Sequence, residues 1–507
     1  MHKLLVFITL IILIANISLA QVPQRLFPQH FKYIKEAIKP NNYSQYQLDD
    51  HASTFYNQWK SVYLRDDCGN GQYYVWFNET SSNNSICVSE GQGYGMIITA
   101  YFAGFDPNAK DYFDGLYRFY KAHPSQKNPK LMAWNQVKGC IDDTNGRYSA
   151  SDGDIDIAYA LLLADKQWGS SGEINYLSEA INIIEAIITD DVNQNIWTIK
   201  LGDWVTNESP EYNDTRCSDF ILNHFRAFQS ATNNDKWERI INKCYWLINI
   251  IQTNYSPQTG LLPDFVINCN SNPLPASPNY LESEYDGNYF YNSCRTPLRI
   301  ALDYLISGEI RAKNAVDKIN NWIKTKTGND PTKIGAGYFL NGNDIPDNNY
   351  SSSAFISPLA VSSMVNNENQ SWLNEIYNHL LYQNLQHNTY YNNTLKLLGL
   401  IIISGNWWVP FSTSAINESP LEWFYFSITP NPFYESSTIN YQLLIPDRVK
   451  IDIYNSLGER VTTLVDEFQE AGSHRTVFEA SNLPQGVYYY TIRIGERAES
   501  GKLLLIK

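Results

Sequence analysis

Three carboxylates stand together at the start of an apolar stretch of this 507-residue chain: Asp152, Asp154 and Asp156. The residues after them place apolar side chains along one face of a predicted helix that ends near residue 168. The apolar positions are Ile157, Ala158, Leu161, Leu162 and Ala164. Charged side chains are rarely buried without a partner, so this arrangement requires a reason. The carboxylates either cap free N–H groups of the helix or form a charged site at its N-terminus.

A fourth carboxylate, Glu90, stands in a glycine-rich segment, Ser89–Met96 (SEGQGYGM). Gly91, Gly93 and Gly95 carry no side chain, so a neighbouring helix and a bound ligand can approach the backbone closely there. A carboxyl group that its surroundings keep protonated can act as a general acid near neutral pH. Glu90 is therefore a candidate acid.

Both segments resemble motifs of one enzyme family. The string ASDGDIDIAYALLLADKQW, residues 150–168, resembles the signature of glycoside hydrolase family 8, and SEGQGYGM resembles the general-acid motif of that family, about sixty residues upstream. The resemblance implies that Glu90 protonates the leaving oxygen of a glycosidic bond. It also implies that Asp152 stabilises positive charge at the anomeric carbon and orients the sugar or the attacking water. We expect Asp154 and Asp156 to be structural caps of the helix.

This chain differs from many members of the family at the position of the catalytic base. Those members carry an aspartate two residues before the Cys-Arg pair of a segment that corresponds to residues 291–297, whereas this chain has Asn292. An amide cannot accept a proton usefully near neutral pH. The chain resembles instead the subgroup of chitosanases and lichenan-cleaving glucanases, in which a glutamate on an inserted upstream segment is the base. Residues 279–287 form that insert, with Glu282 as first candidate and Glu284 as the alternative.

Five further residues fall in segments that resemble the cleft walls of the family: Tyr94, Trp134, Arg216, Asp219 and Arg295. Flat aromatic faces suit sugar rings, and arginine can orient carboxylates. We therefore expect these five residues to bind substrate.

The expected reaction is a single displacement with inversion, in which the acid and the base lie about 6.5–9.5 Å apart. It requires no metal and no organic cofactor. We interpret the chain as a secreted endo-acting β-1,4-glycanase that acts on a β-glucan, lichenan or cellulose-type chain, or on chitosan. The alternative is a non-catalytic carbohydrate-binding protein with the same fold, because the usual base is absent at Asn292. A polysaccharide lyase is a third interpretation, which the two motifs disfavour.

The elements that must position these residues are mainly helices. Amphipathic patterns predict helices at 174–189, 219–229, 236–253, 297–305 and 354–365. Helices with long connections predict an all-α toroid. The resemblance to family 8 implies an (α/α)6 barrel with the cleft at one end of the helices, and we place this catalytic domain at 21–405.

The composition changes towards the carboxyl terminus. Residues 406–427 are rich in proline, serine and threonine and predict a linker. Alternating patterns then predict strands at 450–454, 476–478 and 486–494, within a small all-β sandwich over 428–507. Its TPNPF opening, YNSLG turn and LPQGVY strand resemble the sorting domain of the type IX secretion system. The resemblance implies export across the outer membrane of a bacterium of the Bacteroidetes type, with that machinery as a partner.

The amino terminus and the composition indicate the compartment. Residues 1–20 combine basic residues, an apolar run and a small-residue end, which predicts a secretory signal peptide rather than a membrane anchor. We expect a soluble protein, secreted or at the cell surface. The net charge of −14 disfavours nucleic acid or an anionic membrane as a partner. Seven cysteines without a C-x-x-C pair disfavour a metal cluster and allow up to three disulfides, with Cys68–Cys87 as one candidate.

Overall fold

The computed structural model of the protein describes residues 22–77, 84–385, 390–411, 424–443, 447–470, 472–495 and 497–506. The chain forms two compact units, Met1–Glu418 and Ser419–Lys507. The first unit is mainly helical and the second is built of strands. The predicted signal peptide, 1–20, lies outside the described residues, as does most of the predicted linker. None of the described helices combines the length and the apolar character that crossing a membrane requires.

The described part of the first unit contains twelve α-helices. They are α1 (Gln45–Tyr63), α2 (Ser89–Tyr101), α3 (Ala109–Ala122), α4 (Ser151–Trp168), α5 (Tyr176–Ala186), α6 (Leu222–Thr232), α7 (Lys236–Asn254), α8 (Thr296–Ser307), α9 (Ile310–Thr327), α10 (Ser353–Ser363), α11 (Gln370–Tyr382) and α12 (Tyr390–Ile403). The predicted helices are confirmed as α4, α5, α6, α7, α8 and α10.

Alternate helices contact one another in a closed circuit. Helix α2 contacts α4, α4 contacts α6, α6 contacts α8, α8 contacts α10, α10 contacts α12, and α12 contacts α2. The other helices pack against this set, α1 against α12, α3 against α2, α5 against α4, α7 against α6, α9 against α8 and α11 against α10. The inner helices α4 and α10 bury nearly all of their side chains, as expected for helices with neighbours on every side.

Glycine permits the closest of these helix contacts. A Cβ atom at Gly93 of α2 would lie 2.7 Å from the Cβ of Asp156 in α4. A Cβ atom at Gly153 of α4 would lie 2.6 Å from the Cβ of Ser89 in α2. The expected close approach of a neighbouring helix to the glycine-rich segment is confirmed.

Short strands connect the helices of the first unit. They are β1 (Leu64–Arg65), β2 (Tyr74–Val75), β3 (Ser85–Val88), β4 (Asn135–Val137), β5 (Ile141–Asp142), β6 (Val192–Asn193), β7 (Thr198–Ile199), β8 (Thr215–Arg216), β9 (Phe265–Ile267) and β10 (Leu274–Pro275). Antiparallel pairing gives the sheets β1-β2, β3-β4-β5, β6-β7 and β10-β9-β8. Strand β3 leads directly into α2, and β8 ends at Arg216, so two of these sheets position predicted site residues.

The disulfide differs from the candidate pair named above. Cys68 is bonded to Cys140, 72 residues away, and Cys87 is a buried free thiol beside Gln92. Cys87 lies in β3, whose place in a sheet directs its side chain into the core. The pairing Cys68–Cys87 was therefore wrong, because proximity in sequence did not correspond to proximity in the fold.

The second unit contains two antiparallel sheets. Its strands are β11 (Phe424–Thr429), β12 (Ser436–Leu443), β13 (Asp447–Tyr454), β14 (Arg460–Gln469), β15 (Gly472–Glu479), β16 (Gly486–Ile494) and β17 (Arg497–Leu505). The sheet orders are β11-β12-β15 and β14-β13-β16-β17. Ile439 and Tyr441 of the first sheet pack with Val449, Ile451 and Ile492 of the second. The predicted strands are confirmed as β13, β15 and β16.

Candidate active site

A cleft of about 1360 Å³ brings together carboxylates from three distant parts of the first unit. Glu90, Asp152 and Glu282 line it together with Arg216 and Arg295. Aromatic side chains line much of the remainder, among them Trp134, Tyr148, Trp204, Tyr291 and Tyr390. The cleft therefore combines opposite charges with flat apolar faces.

Glu90 is the second residue of α2, and its side chain is 13% exposed. Its Oε1 accepts a hydrogen bond from Arg295 and another, at 3.1 Å, from the hydroxyl of Tyr94. Its Oε2 accepts a hydrogen bond from the hydroxyl of Tyr390. All three partners donate, so they fix the orientation of the Glu90 carboxyl group in the cleft.

Asp152 has the corresponding position in α4, as its second residue, and is 4% exposed. Its Oδ1 accepts the N–H of Gly153 at 3.0 Å. Its Oδ2 accepts hydrogen bonds from Nη1 of Arg295 at 3.0 Å and from Nη1 of Arg216 at 3.3 Å. Two guanidinium groups therefore balance the charge of this buried carboxylate.

Arg295 links the first two carboxylates to the rest of the site. Its Nη1 donates to both Glu90 and Asp152. Its Nη2 donates to the hydroxyl of Ser218 and to Oδ1 of Asn292, each at 2.9 Å. Burial lowers the pKa of Arg295 to about 10, because little water remains to solvate the cation. A poorly solvated cation interacts strongly with the carboxylates that it contacts.

Glu282 enters the same cleft from the connection between β10 and α8. Its side chain is 46% exposed. Its Oε2 accepts a hydrogen bond from Nδ2 of Asn292 at 2.7 Å, and its Oε1 lies 3.5 Å from Nη2 of Arg216. The Asn292 amide thus donates to Glu282 and accepts from Arg295. An ionised aspartate at position 292 could not donate to Glu282.

Glu284 has a different environment from Glu282. It is exposed, interacts with Tyr285, and is absent from the residues that line the cleft. Of the two candidate bases on this segment, Glu282 lines the same cleft as Asp152 and Arg295, whereas Glu284 does not.

Tyr94 and Asp219 are buried instead of forming cleft walls. Tyr94 is 2% exposed, and its hydroxyl accepts a hydrogen bond from Arg299 at 3.0 Å while it donates to Glu90. Asp219 is fully buried, and burial raises its pKa to about 7 although the nearby Arg216 lowers it. Neither side chain offers a face to a sugar, so the structure differs from the expectation that both bind substrate.

Asp154 and Asp156 do not cap α4, contrary to expectation. The N-cap residue of α4 is Ala150, and it has no side-chain cap. Oδ1 of Asp154 accepts the N–H of Met132 at 2.9 Å, whereas Asp156 lies 3.3 Å from Arg299 and 3.1 Å from His224. Both side chains bind neighbouring segments instead of the free N–H groups at the start of α4, so they connect the helix to its surroundings.

Trp134 lines the cleft as expected, with 37% of its surface exposed. Its backbone N–H donates to the carbonyl of Tyr148 at 2.8 Å, and Tyr148 is 40% exposed in the same cleft. Cys140 lies between them in sequence and is bonded to Cys68. The disulfide therefore restrains the segment that presents these two aromatic faces.

Three functional residues were missed in the sequence. Tyr390 begins α12 and donates to Glu90, and the ring of Tyr391 lies 5.9 Å from the guanidinium of Arg295. Arg299 holds Tyr94 and stands one helical turn after Arg295 in α8. That i, i+4 spacing was a usable signal. No sequence signal pointed to Tyr390, because 300 residues separate it from Glu90.

The site contains the groups that cleavage of a glycosidic bond requires. One carboxyl group can give a proton to the leaving oxygen, and another can accept a proton from water. Aromatic faces can stack on sugar rings. The fold and the cleft thus define a hydrolase that acts on carbohydrate chains.

Comparisons with known proteins agree with this class. The model of the glycosyl hydrolases family 8 matches residues 36–405, and the model of a secretion system C-terminal sorting domain matches residues 427–507. A β-glucanase of Niallia circulans is 48% identical over 76% of this chain and 92% of that protein. An endoglucanase of Bacillus sp. (strain KSM-330) is 39% identical over 80% of this chain and 87% of that protein.

Solved structures show the same relationship. The apo β-1,3-1,4-glucanase of Paenibacillus sp. X4 is 47% identical, with a TM-score of 0.73 over 76% of this chain and 100% of that chain. A cold-adapted family 8 xylanase in complex with substrate is 20% identical, with a TM-score of 0.63 over 77% of this chain and 98% of that chain. At that identity the likeness shows a common fold alone.

The chain belongs to glycoside hydrolase family 8. It is a glycoside hydrolase, which confirms the enzyme class and sets aside the polysaccharide lyase and the non-catalytic binding protein. Its second unit is a secretion sorting domain, so the protein is exported to the cell surface or beyond it.

Proposed function

We propose that the protein is an endo-acting glucanase that hydrolyses β-1,4 bonds of a mixed-linkage β-glucan with inversion of the anomeric centre. Two similar proteins support this choice of substrate. One is the β-glucanase that is 48% identical, and the other is the β-1,3-1,4-glucanase that is 47% identical. The match spans 92% and 100% of their lengths. An open cleft with aromatic walls suits attack inside a long glucan chain.

In this reaction Glu90 is the general acid and Glu282 the general base. Glu90 protonates the leaving oxygen, while Glu282 takes a proton from the water that attacks the anomeric carbon. The observation that carries this assignment is that Glu282, and not Glu284, lines the same cleft as Glu90. Asn292 and Arg295 connect the two glutamates, through bonds of 2.7 Å and 2.9 Å. For an inverting mechanism we expect the two carboxyl groups to lie about 6.5–9.5 Å apart, which leaves room for the attacking water.

The donors around Glu90 suit the charge that it acquires during the reaction. As Glu90 gives up its proton, it becomes a carboxylate that can accept from Arg295, Tyr94 and Tyr390 together. Preorganised donors stabilise developing charge without reorganisation during the step. We assign these three residues to the stabilisation of Glu90 after proton transfer.

Asp152 is proposed to act on the sugar without exchanging a proton. Its carboxylate lies beside Glu90 on the same guanidinium nitrogen of Arg295. A negative charge there stabilises positive charge at the anomeric carbon. Arg216 and Trp134 complete the proposed substrate contacts, because both line the cleft.

The two units are proposed to have the finer architectures that the family resemblances imply. The closed circuit of α2, α4, α6, α8, α10 and α12, with a second helix packed outside each, supports an (α/α)6 barrel. The shared core of the two C-terminal sheets supports a β-sandwich, which would be the part that the type IX machinery recognises.

The test is a reducing-end assay of the purified full-length protein on barley β-glucan, carboxymethyl-cellulose and chitosan. We expect release of reducing ends from β-glucan. We expect Glu90→Gln and Glu282→Gln each to lower kcat by about 10²–10⁴-fold. Nuclear magnetic resonance of the first products should show the inverted anomer.

The matched control is Glu284→Gln, which makes the same change two residues from Glu282 and should leave kcat unchanged. An inactive Glu284→Gln beside an active Glu282→Gln would overturn the assignment of the base. Release of reducing ends from chitosan alone would overturn the proposed substrate.

A further inference from the structure

The segment that carries the proposed base is folded around one buried carboxylate, Asp286. Its Oδ2 accepts the N–H of Leu281 at 2.6 Å and the N–H of Glu282 at 2.9 Å. Its Oδ1 accepts the N–H of Ser283 at 2.8 Å and the hydroxyl of Ser283 at 3.3 Å. Three consecutive backbone donors thus point at one carboxyl group, and the middle donor belongs to Glu282.

Asp286 is itself attached to the sheet that holds Arg216. Its carbonyl accepts the N–H of Phe265 in β9 at 2.9 Å. Phe265 is the register partner of Arg216 in β8, and Arg216 lies 3.5 Å from the carboxylate of Glu282. The backbone of the base and one of its side-chain partners are therefore tied to the same sheet.

Packing alone does not hold the Glu282 side chain, because 46% of it is exposed. An exposed glutamate that is fixed in one rotamer loses conformational entropy, so other contacts must hold it there. The contacts with Asn292 and Arg216 can form only where the backbone places Glu282 within their reach. A displacement of about 1 Å at such a group can cost 10²-fold in rate.

The choice of aspartate at 286 follows from the number of donors. Asp286 is fully buried, and among the described residues it forms no ion pair with lysine, arginine or histidine. A buried charge without a cation is costly unless hydrogen bonds satisfy it. Two carboxylate oxygens can accept three N–H groups, whereas the amide of asparagine offers one oxygen and directs its own N–H groups at those donors.

We propose that Asp286 is a positioning residue for catalysis, which acts through Glu282 by holding the backbone of the base at the cleft. This inference rests on the proposed function of Glu282. It adds a residue that touches neither sugar nor water and yet determines the rate of the reaction.

A double-mutant cycle on the full-length protein tests the proposal, with kcat and KM measured on β-glucan for Asp286→Asn, Glu282→Gln and the double variant. We expect Asp286→Asn to lower kcat by about 10²-fold with KM unchanged. We expect the same substitution to cost nothing further in the Glu282→Gln background, whose residual hydrolysis is measurable in long incubations. A merely structural role would lower kcat in both backgrounds.

Asp106→Asn is the matched control for the removal of a buried charge. Asp106 is 4% exposed and accepts the N–H of Asn108 at 3.0 Å and the hydroxyl of Tyr56 at 2.8 Å. Unlike Asp286 it also forms an ion pair, with Lys60, and it does not line the cleft. Asp106→Asn should lower the midpoint temperature of unfolding and leave kcat unchanged. Ser283→Ala, which removes one hydroxyl bond to Asp286, should give a smaller fall in kcat if Asp286→Asn does not fold.

The outcomes separate the two proposals. Full activity of Glu282→Gln would remove the proposed base and this inference together. An inactive Glu282→Gln, combined with wild-type kcat in Asp286→Asn and Ser283→Ala, would overturn the inference alone. Equal losses from Asp286→Asn in both backgrounds would also overturn it.

Discussion

At the scale of single residues, the cleft is organised by shared charges. Arg295 contacts Glu90 and Asp152, and Arg216 contacts Asp152 and Glu282. Removal of one member of such a set of paired charges leaves its partners uncompensated. Substitutions from glutamate to glutamine, which keep the shape of the side chain, are therefore better probes of this site than truncations.

Asp219 adds a contribution to stability that depends on pH. Burial raises its pKa from 3.8 to about 7, against the effect of Arg216. The folded state therefore binds a proton more tightly than the unfolded state does. The resulting stabilisation is complete below pH 3.8 and is lost as the pH rises through about 7.

We expect Asp219→Asn to abolish this dependence, because an amide does not titrate in this range. The free energy of unfolding of the wild type relative to the variant should fall between about pH 4 and pH 7, by at most about 4 kcal/mol. Denaturant titrations at several pH values measure it. A constant difference across this range would contradict the prediction.

At the scale of elements, the proposed reactive groups lie at the starts of inner helices. Glu90 and Asp152 are the second residues of α2 and α4, and Tyr390 is the first residue of α12. Arg295 immediately precedes α8. The free N–H groups and the dipole at a helix start favour negative charge, which helps to keep two carboxylates in one cleft.

The contact between α2 and α4 should control the spacing of Glu90 and Asp152. In Gly153→Ala the new Cβ would lie 2.7 Å from the backbone carbonyl carbon of Ser89, so one helix start must move. We expect a loss of about 1–3 kcal/mol in stability and a lower kcat. Thermal unfolding and steady-state kinetics on β-glucan measure the two effects.

Gly399→Ala provides the comparison for Gly153→Ala. A Cβ added at Gly399 would lie 2.0 Å from the side-chain Oγ of Ser357, in the contact of α12 with α10. This variant should lose stability and keep kcat. If Gly153→Ala also keeps kcat, the helix contact does not determine the geometry of the acid.

At the scale of the whole molecule, catalysis and export belong to separate units. The core of the helical unit is made of residues up to Val409, and the clusters of the second unit begin at Ile439 and Phe433. Over the described residues each core is built from side chains of its own unit, so each unit has its own source of hydrophobic stabilisation.

Deletion of residues 428–507 should therefore leave hydrolysis intact and block export. Activity measured in cell extracts and in the medium of an expressing bacterium with a type IX system tests this expectation. The complementary variant is full-length Glu90→Gln, which should be exported and inactive. Loss of hydrolysis in the truncated protein, with its fold intact by circular dichroism, would contradict independent units.

Local sequence patterns predict the features of this protein that depend on short-range order. Helix α4 and strand β16 follow from local periodicity, and the segments of Glu90 and Asp152 follow from motifs within about twenty residues. Residue patterns also predict the division of the chain into a helical part and a strand-rich part. Each of these features rests on residues that stay close together in any compact conformation of the chain.

The contacts between residues that are distant in sequence follow from the fold of the whole unit. The fold brought Glu282 rather than Glu284 to the cleft, joined Cys68 to Cys140, and buried Tyr94 and Asp219. The contact of Glu90 with Arg295 spans 205 residues. Such contacts depend on how the circuit of helices closes and on which side chains the core can accept, and no local pattern carries that information.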